Sequence, residues 1–356
     1  LVMSMAGVTG CIIPPIVGHL SDRTTTRFGR RRPYIFIGFV CVADCILAMR
    51  HATTFQLAAL LASCMYLALR LAETPYMSLL ADITPPERRS TASGVMHFIG
   101  TLGLIACFLV SSALWNDQPD AVFSLVAVSA LSFVLLALYV IREPRVQYPA
   151  PVKSPGPLMY VSSLAEESQA MRFFGAQFCW WVGFGMASTF ATLFAVEELG
   201  VQEGKSLVIL AVFAVVAALA MLPLGILGDR FPRRRLLSIY RALWAVSQIA
   251  IGFSTSLSDA LLTVGLSAIP FAGAMALGLA FMLDLVPESR TSEFVGFSVI
   301  SAAAAQIVGP IIGGWMIDVM GYRSIFPGAA TAMLFGLTIL QTVEPHRSKE
   351  TQSPGY

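Results

Sequence analysis

Eleven long apolar stretches, each near the length that crosses a bilayer, constrain this 356-residue chain more than any other feature. A membrane-spanning helix needs about 20 apolar residues, because each residue adds about 1.5 Å of rise. Hydrocarbon offers no water to the backbone, so these stretches are predicted to be helical. They are residues 1–20, 34–50, 55–80, 92–115, 121–141, 173–196, 206–228, 236–254, 260–283, 293–316 and 323–343.

The composition places these helices in a lipid bilayer. Hydrophobic residues make up 56% of the chain and charged residues 12%, whereas a soluble domain has about 25% charged residues. So little charge cannot cover a water-facing surface, which argues against a soluble two-domain enzyme. The net charge of +2 also argues against a nucleic-acid partner and against disorder.

Nothing in the sequence indicates catalysis or a bound cofactor. The six cysteines lie in apolar stretches without a C-x-x-C pair, and the four histidines are scattered. This pattern favours neither a disulfide framework nor a metal site. Because a Walker loop and a Ser/His/Asp set are also absent, we expect a protein that is not an enzyme and does not use ATP directly.

The basic residues predict how the chain is oriented. If every second connection, beginning with residues 21–33, is cytoplasmic, these connections and the C-terminal tail contain 19 of the 23 lysines and arginines. Residues 21–33 and 229–241 contain five each. We therefore expect a multi-pass protein of the cell (inner or plasma) membrane with a cytoplasmic C-terminus.

Three pairs of markers indicate that the two halves of the chain repeat one another. Gly18-His-Leu-Ser-Asp22-Arg23 recurs as Gly225-Ile-Leu-Gly-Asp229-Arg230, at an offset of 207, and an arginine triplet follows each copy. Asp82-x-x-Pro85-x-x-Arg88 recurs 202 residues later, and Glu143-Pro144 recurs 201 residues later. Each marker lies at the same place relative to the spans, which predicts two pseudo-symmetric helical bundles.

The second copy contains six predicted spans and the first copy five, so we expect an additional helix before Leu1 and twelve in the intact protein. The segment between the copies is rich in proline, as is typical of a semi-rigid linker. The expected division is an N-terminal bundle (1–141), a cytoplasmic linker (142–172), a C-terminal bundle (173–343) and a cytoplasmic tail (344–356).

The Gly-x-Leu-x-Asp-Arg motif with its basic cluster, present in both halves, resembles the major facilitator superfamily of secondary transporters. The run from Pro14 to Ile35 and the run from Pro75 to Asp82 are similar to the sucrose/proton symporters and their glycoside–pentoside–hexuronide:cation relatives. Met77 replaces an arginine usual in the sucrose family, while Gly10 and Pro14 replace acidic residues of the sodium-coupled melibiose-type members. The resemblance implies two six-helix bundles around a central solute site.

The resemblance also implies a gating latch formed by Gly18, Asp22 and Arg23 and by their repeats Gly225, Asp229 and Arg230. A glycine permits close helix approach, and an aspartate is stabilised at the positive end of a helix. Asp22 is expected to face the helix at 293–316, and Asp229 the helix that begins near Thr91. The alternative is that these loops only set the topology through their positive charge.

Three charged residues within the spans are candidates for ion coupling. Arg70 and Glu73 share a helix face, so Glu73 is a candidate proton carrier whose charge Arg70 balances. Their alternative role is a structural ion pair, or Glu73 extends to the membrane rim. Asp44, about two turns from the outer end of its span, is a candidate for binding a cation or the solute, or for capping a polar neighbour.

Four further residues are candidates for solute binding. The indoles of Trp180 and Trp181 can stack on the C–H face of a sugar, and the amides of Gln177 and Gln306 can bond to hydroxyls. For the tryptophans the alternative is the interfacial aromatic belt.

The expected function is alternating-access uptake of a sugar or another small polar solute together with H⁺, by a monomer in the bilayer. The runner-up is a proton-driven exporter of drugs or metabolites on the same fold. A lipid-handling or scaffold membrane protein is a third class.

Overall fold

A computed structural model describes residues 2–24, 26–114, 118–141, 143 and 167–344. Most of the predicted linker and nearly all of the predicted tail lie outside these residues. The described residues form long helices joined by short turns, with no strand among them. The helices are α1 (Val2–Arg23), α2 (Arg32–Met49), α3 (Phe55–Ile83), α4 (Arg89–Leu114), α5 (Pro119–Val140), α6 (Ser168–Glu197), α7 (Glu203–Arg230), α8 (Arg233–Gly252), α9 (Leu257–Leu283), α10 (Thr291–Met320) and α11 (Ile325–Gln341).

Each of the eleven predicted spans corresponds to one of these helices, so the predicted all-α membrane fold is confirmed. In the described part of the chain, nine helical stretches are long and apolar enough to cross a membrane. The helix bounds differ from the predicted spans by a few residues, and the largest shift is at α6, which begins at Ser168, so the last residues assigned to the linker are helical. In addition, Arg241, which we counted with the loop 229–241, lies within α8.

Helix packing separates contacts within each half from contacts between the halves. In the first half, α3 packs against α1 and α2, and α2 packs against α5. In the second half, α6 packs against α10 and α11, while α9 packs against α7 and α8. The largest contacts between the halves are those of α1 with α10 and of α4 with α7.

Glycines allow these two contacts to become backbone contacts. A Cβ at Gly18 of α1 would overlap the carbonyl oxygen of Ser292, and a Cβ at Gly225 of α7 would lie 2.7 Å from the carbonyl oxygen of Ser90. Both contacts lie at the end of the molecule that carries residues 21–33, 81–91, 229–235 and 284–292, which we call the arginine-rich side. The two halves are therefore in close contact at this side.

The Glu-Pro marker of the first half has a structural role at the arginine-rich side. The Glu143 carboxylate accepts hydrogen bonds from the backbone N–H groups of Arg30 (2.7 Å), Arg31 (3.2 Å) and Arg32 (3.0 Å) at the start of α2. Gly29 has a φ of +106°, and a Cβ there would overlap the same carboxyl group. Glu143 thus holds the loop after α1 against the N-terminus of α2.

Replacing Gly18 with alanine tests the contact of α1 with α10. Overpacking costs about 1–3 kcal/mol, so we expect Gly18→Ala to lower the thermal unfolding midpoint in detergent. Gly103→Ala on α4 is the matched control, because a Cβ at Gly103 would meet no atom within 4 Å. Equal midpoints for the two variants would contradict the close contact.

Candidate functional site

Asp22 joins the two halves at the end of α1. Its carboxylate accepts hydrogen bonds from the backbone N–H groups of Ser292 (3.3 Å) and Glu293 (2.9 Å), in the first turn of α10. These N–H groups have no partner within their own helix, and the helix dipole favours an anion beside them. The contact is therefore a helix cap supplied by the opposite half.

Asp229 forms the equivalent cap in the repeat. Its carboxylate accepts hydrogen bonds from the backbone N–H groups of Ser90 (2.9 Å) and Thr91 (2.8 Å), in the first turn of α4. The two caps are related by the exchange of halves, since each aspartate ends a helix of one half and meets a helix start of the other. These are the helix partners that the repeat and the resemblance predict; the gating role belongs to the proposal below.

In the first half, an arginine of the triplet contacts the capping aspartate. Arg31, fully buried, contacts Asp22 at 2.6 Å and Asp82 at 2.9 Å. Burial alone would lower the pKa of the Arg31 guanidinium, but the two carboxylates raise it above its usual value. Arg31 therefore stays charged and links the first and second markers of the repeat.

Arg233 has the corresponding position in the second half. Its guanidinium contacts Asp229 at 3.0 Å and Asp284 at 2.6 Å, and it also bonds to Ser90 Oγ (2.8 Å) across the interface. Of the motif arginines, Arg230 is exposed at the end of α7 and Arg23 is partly exposed at the end of α1. Arg31 and Arg233, which the sequence motif does not single out, both make ionic links to the capping aspartates.

A cavity of about 520 Å³ lies between the two halves. Residues of α3 and α4 face residues of α6, α8, α9 and α10 across it. Six of the residues proposed from the sequence contribute to its lining: Arg70, Glu73, Gln177, Trp180, Trp181 and Gln306. The cavity thus has the mixed polar and apolar walls typical of a small-molecule site.

Arg70 and Glu73 form an ion pair on the wall of this cavity, with Arg70 Nη1 2.5 Å from a Glu73 carboxylate oxygen. Their side chains are 22% and 28% exposed. A Cβ at Gly10 of α1 would lie 3.1 Å from the Cβ of Ala303 and 3.7 Å from Arg70 Nε, so the glycine lets α1 approach α10 closely beside the ion pair. The pair is within reach of water and solute while its two charges compensate each other.

The four solute-binding candidates have different surroundings. Gln177 is already bonded across to α10, since its Oε1 accepts from Ser298 Oγ at 3.0 Å. Trp180 is 1% exposed and packs in the core, so it does not belong to an interfacial belt. Trp181 is partly exposed and packs edge-to-face with Phe184 at 5.5 Å, and Gln306 is exposed beside the cavity.

Asp44 lies away from this constellation. It is exposed on α2 and is not among the residues that line the cavity. A role in solute or cation binding at the central cavity therefore has no geometric support. Its position on a peripheral helix could not be read from its depth in the span, because rotation about the helix axis depends on packing.

Two basic residues of the cavity were not among the sequence candidates. His97 of α4 and Arg241 of α8 both contribute to the lining. Arg241 sits close to the arginine triplet in sequence, which made it look like a loop residue, yet it lies eight residues, or about 12 Å, into α8. Among the described residues, no group of histidine, cysteine and carboxylate side chains could hold a metal ion.

The cap that Asp22 provides generates a stability prediction. Asp22→Asn removes the negative charge beside the N-terminus of α10. It also places an amide N–H group against the backbone N–H donors of that helix. Together these changes should lower the free energy of unfolding by about 1–3 kcal/mol. Thermal unfolding in detergent measures the change. Asp120→Asn, which removes an exposed carboxylate in the first turn of α5, is the control, and equal effects of the two substitutions would argue against a strong cap.

Comparison with known proteins agrees with the fold and the motifs. A profile of the Major Facilitator Superfamily matches residues 1–217 and 173–355. An uncharacterized MFS-type transporter of Bacillus subtilis is 26% identical over 281 residues, which cover 74% of this chain and 64% of that relative. A sucrose transport protein of Arabidopsis thaliana is 27% identical over 133 residues, which cover 31% of this chain and 22% of the plant protein.

The chain thus spans less than two thirds of the length of these two relatives. The crystal structure of the fucose:proton symporter of E. coli superposes with a TM-score of 0.81 at 16% identity, covering 96% of this chain and 90% of the symporter. That similarity shows the same fold. Because the family profile matches nearly every residue, the chain belongs to the Major Facilitator Superfamily.

Proposed function

We propose that this protein is a secondary active transporter that takes up a small polar solute, such as a sugar, together with a proton by alternating access. The observation that carries the proposal is a polar cavity between two repeated halves whose contact at the arginine-rich side is made by two equivalent caps. A solute site at a repeat interface, with closure at one end, is what alternating access requires.

The chemistry of the caps suits a contact that forms and breaks in each cycle. Separating the partners of a hydrogen bond or an ion pair costs little net free energy when water takes the place of the lost partner. The four glycines at the two contacts, Gly18, Gly94, Gly225 and Gly296, lack side chains that would have to be repacked. Opening at the arginine-rich side then amounts to a rigid movement of one half against the other.

Proton coupling is assigned to Glu73. When Glu73 is ionised, Arg70 is held at 2.5 Å, and when Glu73 is protonated the ion pair loses its attraction and Arg70 becomes available to the solute. Because both side chains line the same cavity, the proton and the solute influence one another directly. Trp181 and Gln306 are the residues placed to contact the solute, since Gln177 is engaged by Ser298 and Trp180 is buried.

The relatives support a sugar as one candidate solute. One matched protein is described as a sucrose transport protein, and the structurally similar symporter is described as carrying fucose with a proton. The exporter on the same fold stays as the alternative direction. In the superfamily, a Gly-Pro-x-x-Gly-Gly run on the fifth span is typical of drug/proton antiporters, but here Gly309-Pro310-Ile-Ile-Gly313-Gly314 lies on α10.

Uptake into proteoliposomes under an imposed pH gradient tests the proposal. With acid outside, we expect accumulation of a radiolabelled solute from a panel of sugars and sugar acids, abolished by a protonophore. If solute moves only out of the vesicles, and only when the pH gradient is reversed, the result would support the exporter. No gradient-dependent flux for any solute in the panel would contradict a proton-coupled transporter.

Glu73→Gln separates coupling from binding in the same assay. The amide cannot carry the proton, so we expect gradient-driven accumulation to fall at least about tenfold, while exchange of solute across the membrane without a gradient continues. Glu87→Gln is the control, because Glu87 is exposed on the turn after α3. Normal accumulation in Glu73→Gln would exclude Glu73 as the proton carrier.

A further inference from the structure

Arg241 is a buried cation that has no anionic partner among the described residues. The residue is 3% exposed, and its Nε is buried without a hydrogen-bond partner. The described chain offers it no ion pair within 4.0 Å. A buried charge without a partner is costly, so a position of this kind calls for a compensating group.

Two indoles hold the guanidinium in place without neutralising it. The Arg241 Cζ lies 3.9 Å from the centroid of the Trp180 ring and 5.2 Å from that of Trp244. Cation–π contacts of this geometry orient the planar guanidinium and recover part of the cost of burial. They leave its N–H groups free to donate, because an aromatic face is no substitute for an oxygen acceptor.

Arg241 also faces the cavity, and it determines the net charge there. The charged residues of the lining are Arg241, Arg70 and Glu73, and the last two already form an ion pair. With His97 neutral, the cavity wall carries one uncompensated positive charge. A single carboxylate neutralises that charge, whereas a phosphate with about two negative charges leaves an excess of the opposite sign.

We propose that the transported solute carries one carboxylate, which Arg241 binds through its guanidinium, as in a sugar acid. The planar fork of an arginine matches the two oxygens of a carboxylate, and the low-dielectric setting strengthens the pair. That this solute is transported rests on the proposed function, but its binding by Arg241 can be tested without measuring transport. Trp181 and Gln306 then contact the rest of the solute.

Binding to the purified full chain in detergent tests the assignment. The probes are acetate as the smallest carboxylate, and two matched pairs, D-glucuronate with D-glucose and D-gluconate with sorbitol, each compared at constant ionic strength. We expect the carboxylates to raise the thermal unfolding midpoint in a saturable way, and the neutral partners to have a much smaller effect. Glucose 6-phosphate should bind more weakly than glucuronate.

Three variants locate the effect. Arg241→Gln should weaken carboxylate binding about tenfold to a hundredfold, the range for losing a hydrogen bond to a charged group. Arg241→Lys keeps the charge but not the fork, so an intermediate loss is expected. Arg235→Gln, the same substitution at an exposed position of α8, should leave binding unchanged.

The ligand-free proteins distinguish binding from a structural role. Because Arg241→Gln removes an uncompensated buried charge, its midpoint without ligand should equal or exceed that of the wild type. A lower midpoint together with unchanged carboxylate binding would mean that Arg241 only braces the two indoles, and would overturn the proposal. So would equal binding of the carboxylates and their neutral partners by the wild type.

The outcome is separable from that of the transport assay. Carboxylate binding that depends on Arg241, without gradient-driven flux, would support the anion site and contradict the transport proposal. If a neutral sugar is taken up under a proton gradient and Arg241→Gln leaves that uptake unchanged, the result would support the transport proposal and contradict the anion site.

Discussion

Asp22 and Asp229 each place a carboxylate against the first turn of a helix that belongs to the other half of the chain. A helix start exposes N–H groups that its own backbone cannot satisfy, and Ser90, Ser292 and Glu293 are buried away from water. The opposite half supplies the missing acceptor twice, once in each direction. The closed arrangement at the arginine-rich side depends on this exchange.

An arginine lies beside each capping aspartate, with different results. Burial raises the pKa of Asp22 although Arg31 opposes it, whereas hydrogen bonds from Thr91 and Arg233 outweigh burial and lower the pKa of Asp229. Arg31 links Asp22 to Asp82, and Arg233 links Asp229 to Asp284, so both copies contain an arginine between two carboxylates. The copies are not identical, since the Asp82 side chain is 7% exposed and that of Asp284 is 25% exposed. The first-half network is therefore better shielded from water, and its charges interact more strongly.

The central cavity shows the opposite electrostatic pattern. At the arginine-rich side Asp22, Asp82, Asp229 and Asp284 each have an arginine beside them, whereas Arg241 in the cavity has no anionic partner in the described part of the chain. Stable contacts between halves require compensated charge, because an isolated ion in a low-dielectric interior is expensive. A binding site can leave one charge to be compensated by its ligand, and the indoles of Trp180 and Trp244 preserve the geometry in the meantime.

Sequence alone determined the number and type of the helices, the repeat and the two capping aspartates, because each follows from local chemistry: apolar length, an offset between motifs, and an anion at a helix boundary. Only the tertiary structure decided which arginines meet those aspartates, that Asp44 lies away from the cavity, and that Arg241 enters it. These facts depend on how each helix is rotated about its axis and on which helices become neighbours. Both are set by packing between segments distant in sequence, which the apolar pattern of a membrane helix, hydrophobic on nearly all sides, does not encode.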